Sequence, residues 1–380
     1  MFYYFPNHYS LSFKVLRAIG NIPYGQGEFG EIMQICEKIN PEDPDSWTDA
    51  WEQMGDKLYN KAAEDLAKGH FVTARYEYCR ANGYFHNAQF FLDGKDPRRM
   101  TIYKKYMDAF DKGTEKDEYK PVRVHVPYED TFLYGIWAET PLKDPSGRTP
   151  TMVWFGGLDS TAEEAYFAIA KDFLKRGFNC LIMDGPGQGA SLRLNHIYTR
   201  HDYEVAGTAA FDYLETRDDV DLSRVCLVAW SMGGYYAPRI VSFEHRYAAC
   251  ITYGARYAPA VSWKRTAEKN EKGGLTPYGT FITGKKDLQE VAEYMSTFTL
   301  EGVLKGVTCS VLMTFGAKDP QQHIEDLYRI IDEMVNAKDK EIHIFSEEEG
   351  GCAHVCADNP SVGNAYVVDW IYDKFHMNVQ

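Results

Sequence analysis

The sequence predicts an α/β fold: a doubly wound, mostly parallel sheet with helices on both faces, preceded by an amino-terminal helical segment. Three observations point there. Residues 1 to about 115 carry apolar residues at helical spacing and show no strand alternation. From about residue 120, short apolar runs alternate with helical stretches, the pattern of strand–helix–strand units. Finally, Val228-Ala229-Trp230-Ser231-Met232-Gly233-Gly234 sets a serine among small residues directly behind the apolar stretch Val225–Val228. A chain of 380 residues can bury a large core as one enlarged domain or as two.

The elements follow in order. Asp43-Pro44-Asp45-Ser46-Trp47 reads as a turn opening a helix, with Asp45 or Ser46 as the expected cap. That helix carries Trp47, Trp51, Met54, Leu58, Ala62 and Leu66, and Gly69 stops it. A second helix runs through Ala74, Tyr78, Ala81 and Phe85. The pair looks like one unit of a helical repeat, but no second copy follows, so residues 1–115 are expected to form a helical cap, or lid, with a partner-binding module as the alternative. The core is expected to span residues 116–380. Val122–Val126 and Phe132–Trp137 flank a turn at Asp130 and predict a hairpin. Strands are predicted at Thr151–Phe155, Cys180–Met183, Val225–Trp230, Cys250–Tyr253, Val311–Phe315 and Ile342–Phe345. Helices are predicted from a Thr161/Glu164 capping box, near 202–216 and near 362–375. Residues 258–305, with Pro259, Lys272-Gly273-Gly274 and the helical spacing of Leu288–Met295, interrupt the rhythm. An insertion between core strands belongs at the carboxyl edge of the sheet, where ligands bind, and could add to the cap.

Composition narrows the partners. With 44% hydrophobic and 25% charged residues the chain is of ordinary globular type. A net charge of -14 argues against nucleic acid and anionic membrane surfaces, which repel an acidic protein. The 27 Tyr and 21 Phe exceed what a core alone asks for and suit a flat, unsaturated small-molecule substrate. The eight cysteines lack regular spacing and read as buried thiols rather than a disulfide framework. Met1-Phe2-Tyr3-Tyr4-Phe5-Pro6 lacks the apolar core of a signal peptide, and no apolar run nears the roughly 20 residues of a membrane span. A cytoplasmic location is expected. Nothing at residue level decides between monomer and homodimer.

The chemistry centres on Ser231. A serine between small residues, after a strand and before a helix, is the signature of a nucleophile elbow; bulky neighbours would clash in so sharp a turn. Ala229 stands where a glycine is usual. A serine hydroxyl needs a base, and the base an orienting acid, in the chain order Ser, Asp or Glu, His. Asp319, just past the strand Val311–Phe315, is the expected acid, and His354, in the loop after the last strand, the expected base. Asp184 and Glu347–Glu349 are rival acids, and His323 is the nearest rival base. His125 and His343 fall within predicted strands and read as structural. An oxyanion hole is expected from the N–H groups of Met232 and Leu158, with Gly157 letting the backbone come close. Cys352-Ala353-His354-Val355-Cys356 lacks zinc-site spacing, and Gly185-Pro186-Gly187-Gln188-Gly189 lacks the lysine and glycine spacing of nucleotide-binding loops. No metal and no cofactor are expected.

These features together resemble the α/β-hydrolase family: the Ser231 elbow, Asp319, His354 and Asp184–Gly189 match its core pattern. A narrower likeness rests on Gly156–Glu164, the Ala-Trp-Ser-Met-Gly-Gly elbow, the helical amino terminus and Phe13, Leu16-Arg17, Gly20, Pro23-Tyr24-Gly25 and Glu28. That combination is similar to the group of dihydroxypseudooxynicotine hydrolase and the fungal yellowish-green polyketide-shortening hydrolases of pigment synthesis. The resemblance implies hydrolysis of a carbon–carbon bond beside a ketone, in an aromatic polyketide or related secondary metabolite. An esterase, lactonase or thioesterase using the same three residues, and a non-hydrolytic cyclase on the same fold, are the alternatives.

Overall fold

The hairpin forms as the alternation requires: β1 (Val122–Tyr128) and β2 (Thr131–Ala138) pair antiparallel around Glu129, whose φ is 50°. The structure, a computed structural model, describes residues 3–142, 147–260, 262–264 and 276–377, and not the side chains of 276 and 277. The Lys272-Gly273-Gly274 stretch lies outside the described residues. Six further strands follow: β3 (Thr149–Phe155), β4 (Asn179–Asp184), β5 (Val220–Trp230), β6 (Ala249–Tyr253), β7 (Ser310–Gly316) and β8 (Asp339–Phe345). Among the described residues the sheet order is β1-β2-β4-β3-β5-β6-β7-β8, antiparallel at β1, β2 and β4 and parallel from β4 to β8.

This order explains the continuous apolar runs. Every residue of β3, β4, β6 and β7 is buried, as expected where helices cover both faces of parallel strands. The order also creates a switch point. From β3 the chain crosses to β4 on one side, then returns to β5 on the other. The carboxyl ends of β3 and β5 therefore open a crevice, the place where such sheets bind ligands.

The chain divides into two compact units, residues 1–121 with 271–281, and residues 122–270 with 282–380. The first contains α1 (Tyr9–Gly20), α2 (Phe29–Cys36), α3 (Pro44–Ala67), α4 (Phe71–Ala88) and α5 (Pro97–Thr114). α4 packs against both α3 and α5, which is why nearly all of its second half is buried. Trp47 and Trp51 are buried with ring centroids 5.5 Å apart. The cap of α3 differs from expectation. Asp43, in extended conformation before Pro44, accepts from the Asp45 N–H at 3.1 Å. Ser46 cannot cap because its hydroxyl turns back to the carbonyls of Asn40 and Asp43, at 2.9 and 2.6 Å. Leu66, expected on the apolar face, is 42% exposed near the end of the helix.

The second unit holds α6 (Ala162–Ala165), which passes through a π turn at Tyr166–Ala170 into α7 (Lys171–Leu174). Thr161 caps it, accepting from the Glu164 N–H. Next come α8 (Gly189–Asn195), α9 (Glu204–Glu215) and α10 (Gly233–Phe243). Of the interrupting segment, α11 (Thr276–Thr283) belongs to the first unit up to residue 281 and α12 (Leu288–Met295) to the second, which α13 (Ile324–Glu333) and α14 (Pro360–Lys374) complete. No helix among the described residues is long and apolar enough to cross a membrane.

Gly83, inside α4, tests the packing of the helical unit. Helix propensity alone favours alanine there by about 1 kcal/mol. A Cβ at Gly83 would, however, lie 2.2 Å from the Gln26 carbonyl oxygen. Gly83→Ala is therefore expected to destabilise the chain by about 1–3 kcal/mol, read as a lower urea midpoint; an unchanged or higher midpoint contradicts this packing.

Candidate active site

The end of β5 turns at Ser231, whose φ of 54° lies in the left-handed region that side-chain-bearing residues avoid. The surrounding small residues make this turn feasible. A Cβ on Gly233 would sit 2.6 Å from the Ala229 Cβ, so at least one of the two positions must lack a side chain. A Cβ on Gly157 would come within 3.0 Å of the Ser231 Cβ. The missing side chain at Gly157 thus lets the loop after β3 lie against the serine. The Ser231 N–H donates to the Tyr253 carbonyl at 2.9 Å, tying the turn to β6.

Ser231, His354 and Asp319 come together. The Ser231 Oγ lies 2.8 Å from the His354 Nε2, and the His354 Nδ1 lies 2.6 Å from the Asp319 Oδ2. The His354 and Asp319 side chains are 3% and 1% exposed. An ionised carboxylate at the Nδ1 favours the tautomer that carries its proton there, leaving the Nε2 lone pair for the serine hydroxyl. Asp319 is itself held, its Oδ1 accepting from the Gln321 N–H at 2.7 Å.

The loop that carries His354 is pinned by a residue the sequence pattern did not single out. The Asp358 carboxylate accepts from the N–H groups of Gly351, Cys352 and Ala353 at 3.0, 3.2 and 2.9 Å. Val355 and Cys356, just beyond His354, have φ of 51° and 56°, so this loop stores strain that Asp358 helps to offset. Gly316, at the end of β7, lets the loop approach: a Cβ there would lie 2.4 Å from the carbonyl oxygens of Cys352 and Ala353. Arg256, also not foreseen, is partly buried, donates to the Gln321 carbonyl at 3.0 Å and lies within electrostatic reach of Asp319 and Asp326. Burial lowers its pKa from the usual guanidinium value.

The expected donors divide. The Gly157 N–H is occupied by the Ser160 Oγ at 2.9 Å, so Gly157 brings closeness but no donor. Among the described residues, neither the Leu158 nor the Met232 N–H has an acceptor within the protein.

The rivals have other work. Asp184 is buried, its two carboxylate oxygens accepting from the Ala162 and Ala190 N–H groups at 2.8 and 2.7 Å. It therefore joins α6 and α8 to β4. Burial, with the Glu163 carboxylate nearby, raises its pKa to about 7. Glu347 pairs with Lys318 at the surface, and Glu349 accepts from the Ser346 N–H. His323 precedes α13, His343 stacks on Tyr366 at 4.0 Å, and His125 on Phe132 at 4.1 Å. Among the described residues no three His, Cys, Asp or Glu side chains are grouped to hold a metal ion.

Residues 165–376, which contain the relay, match the model of the prolyl oligopeptidase family. The chain belongs to this family of α/β-hydrolases. It is a hydrolase. Over 91% of its length it is 30% identical to the hydrolase LUC6 of a Fusarium species, covering 92% of that protein. Over 63% of its length it is 34% identical to 20-hydroxy-prefusarin hydrolase FUS2 of Gibberella moniliformis, covering 59% of that protein. The structure of 2,6-dihydroxy-pseudo-oxynicotine hydrolase superposes with a TM-score of 0.77 over 93% of this chain and 95% of the other, at 21% identity. At that identity the likeness speaks for the fold.

In this hydrolase the raised Asp184 pKa has a consequence for stability. The folded chain binds this proton more tightly than the unfolded chain, whose carboxyl titrates near 3.8. The stabilising contribution is full below that value and is lost as pH climbs to about 7. Asp184→Asn should flatten the decline of the urea unfolding free energy between pH 5 and pH 7. Parallel profiles for the two proteins would show that Asp184 does not titrate there.

Proposed function

We propose that Ser231, His354 and Asp319 form a catalytic triad, and that this hydrolase cleaves a carbon–carbon bond beside a ketone in an aromatic polyketide or related secondary metabolite. The observation that carries the reading is the continuous relay, 2.8 Å from hydroxyl to imidazole and 2.6 Å from imidazole to carboxylate, ending on a serine in a strained turn. Two further features support it. Among the described residues the Leu158 and Met232 N–H groups are unengaged donors, one in the loop lying against Ser231 and one next to it in the chain. The relatives include fungal hydrolases, one of them named for 20-hydroxy-prefusarin.

His354 takes the proton of Ser231 as the Oγ adds to the ketone carbon. The resulting oxyanion accepts from Leu158 and Met232. Collapse restores the carbonyl and breaks the bond to the α-carbon, whose electron pair spreads onto a second carbonyl or an aromatic ring. The His354 imidazolium protonates that carbon, and the first product leaves. His354 then deprotonates a water molecule, which attacks the acyl-serine; as the acyl–oxygen bond breaks, the imidazolium returns that proton to the Ser231 Oγ, freeing the serine and a carboxylic acid. Asp319 stabilises the imidazolium throughout. In this reading residues 1–115 act as the cap, with the 258–305 segment contributing to it, and select the substrate.

A fluorophosphonate probe should label the full-length protein, and Ser231→Ala should abolish labelling; persistent labelling would assign the nucleophile elsewhere. Asp319→Asn, which favours the wrong imidazole tautomer, should lower kcat by about 10⁴-fold with the fold retained. An aryl β-diketone assayed beside an ester of matched shape, with products identified by mass spectrometry, tests the bond cleaved. Turnover of the ester alone would make the chain an esterase.

A further inference from the structure

Two buried glutamines contact the candidate site without joining the relay. Gln188, in the turn between β4 and α8, is 2% exposed, and Gln322, in the segment between Asp319 and α13, is 5% exposed. Each has its amide fully oriented. The Gln188 Oε1 accepts from the Gly185 N–H at 3.2 Å and the Tyr203 hydroxyl at 3.0 Å. Its Nε2 must then be the donor, and it donates to the carbonyls of Gly156 and Gly157, both at 2.8 Å. The Gln322 Oε1 accepts from the Ala255 N–H at 2.8 Å, and its Nε2 donates to the Ser231 carbonyl at 3.0 Å. The backbone leaves room for both arrangements. A Cβ on Gly185 would lie 2.1 Å from the Tyr203 hydroxyl, and one on Gly254 would lie 2.1 Å from the Gln322 Oε1.

The carbonyls chosen matter. A trans peptide group is rigid and planar, with its C=O and N–H pointing in opposite directions. The Gly157 carbonyl shares its peptide plane with the Leu158 N–H, and the Ser231 carbonyl shares its plane with the Met232 N–H. Anchoring each carbonyl to a buried amide therefore aims the paired N–H away from that amide. Those two N–H groups are the ones without an acceptor among the described residues.

We propose that Gln188 and Gln322 are positioning residues, each setting the direction of one oxyanion-donor peptide. The proposal rests on the reading of Ser231 as nucleophile. It explains why an amide is needed at both places. A glutamate of the same size would present a carboxylate to the carbonyl oxygens, and a methionine would present nothing that donates. Misaligned donors fail to stabilise the developing oxyanion while leaving ground-state binding intact, so the loss belongs in kcat.

The test uses the full-length protein with Gln188→Glu, Gln188→Met, Gln322→Glu and Gln322→Met. Hydrolysis of a p-nitrophenyl ester gives kcat and KM, and inhibition by an aryl trifluoromethyl ketone, which forms a tetrahedral oxyanion adduct on serine, gives Ki. Circular dichroism and thermal midpoints check folding. We expect kcat to fall about 10- to 100-fold, KM to stay within about twofold, and the ketone Ki to rise in step with the loss of kcat/KM. Folded variants with undiminished kcat and ketone affinity overturn the proposal. So does a loss confined to KM, which would mark a purely structural role. If the Glu variant at one position does not fold, the Met variant and the other glutamine carry the test. A wild-type protein that fluorophosphonate does not label, or whose Ser231→Ala variant labels normally, overturns the nucleophile reading and this proposal with it. A labelled wild type with unaffected glutamine variants overturns this proposal alone.

Discussion

A serine held at φ 54° between β5 and α10 presents its hydroxyl at the sheet edge, and much of the surrounding sequence answers to that geometry. The turn needs small residues at 229 and 233, a side-chain-free Gly157 beside it, and a backbone bond to Tyr253 to hold it. It is met by an imidazole that arrives 123 residues later in the chain, at 2.8 Å. Among the described residues, three non-glycine residues of this small region are left-handed, Ser231, Val355 and Cys356. Each costs of order 1–3 kcal/mol, and such strain survives only where neighbouring bonds over-determine it. Here those bonds come from Asp358, Gln322 and the strands themselves.

The same logic assigns the carboxylates of the core. Asp184 ends β4 and Asp319 lies three residues beyond β7, yet their surroundings give them different work. Asp319 faces an imidazole and one backbone N–H. Asp184 faces two backbone N–H groups at the starts of α6 and α8. One carboxylate holds an imidazole ring nitrogen; the other joins two helices to the strand between them. Position at a strand end alone did not separate them, because what distinguishes them is a partner brought from elsewhere in the chain.

That limit describes what was legible in the sequence. The parallel strands could be read because burial on both faces makes their apolar runs continuous, as in Met152–Phe155 and Cys180–Met183. Ser231, His354 and Asp319 could be read because each follows a recognisable strand in a fixed chain order. The α3 cap was misplaced because Asp43, Asp45 and Ser46 are all competent caps; the helix starts at Pro44, which leaves Asp43 in the capping place, and the Ser46 hydroxyl turns toward Asn40. Gln322, Asp358 and Arg256 leave no periodic or compositional trace, and the glycine-rich run that holds Gln188 gives no sign of what its amide does. Gln188, Gln322 and Arg256 act through carbonyls 31 to 91 residues away, and Asp358 through N–H groups five to seven residues before it in a folded-back loop, so their work is visible only when the loops are seen together.

The central claim is that the relay makes the Ser231 oxygen nucleophilic, so that hydrolysis passes through an ester on this residue. Acid-quenched, single-turnover reaction with an activated acyl substrate, followed by peptide mapping, tests it most directly. The account predicts an acyl mass increment on the peptide containing Ser231 that forms and decays at rates consistent with turnover. Turnover with no such adduct under rate-limiting deacylation, or an adduct on another side chain, would contradict it.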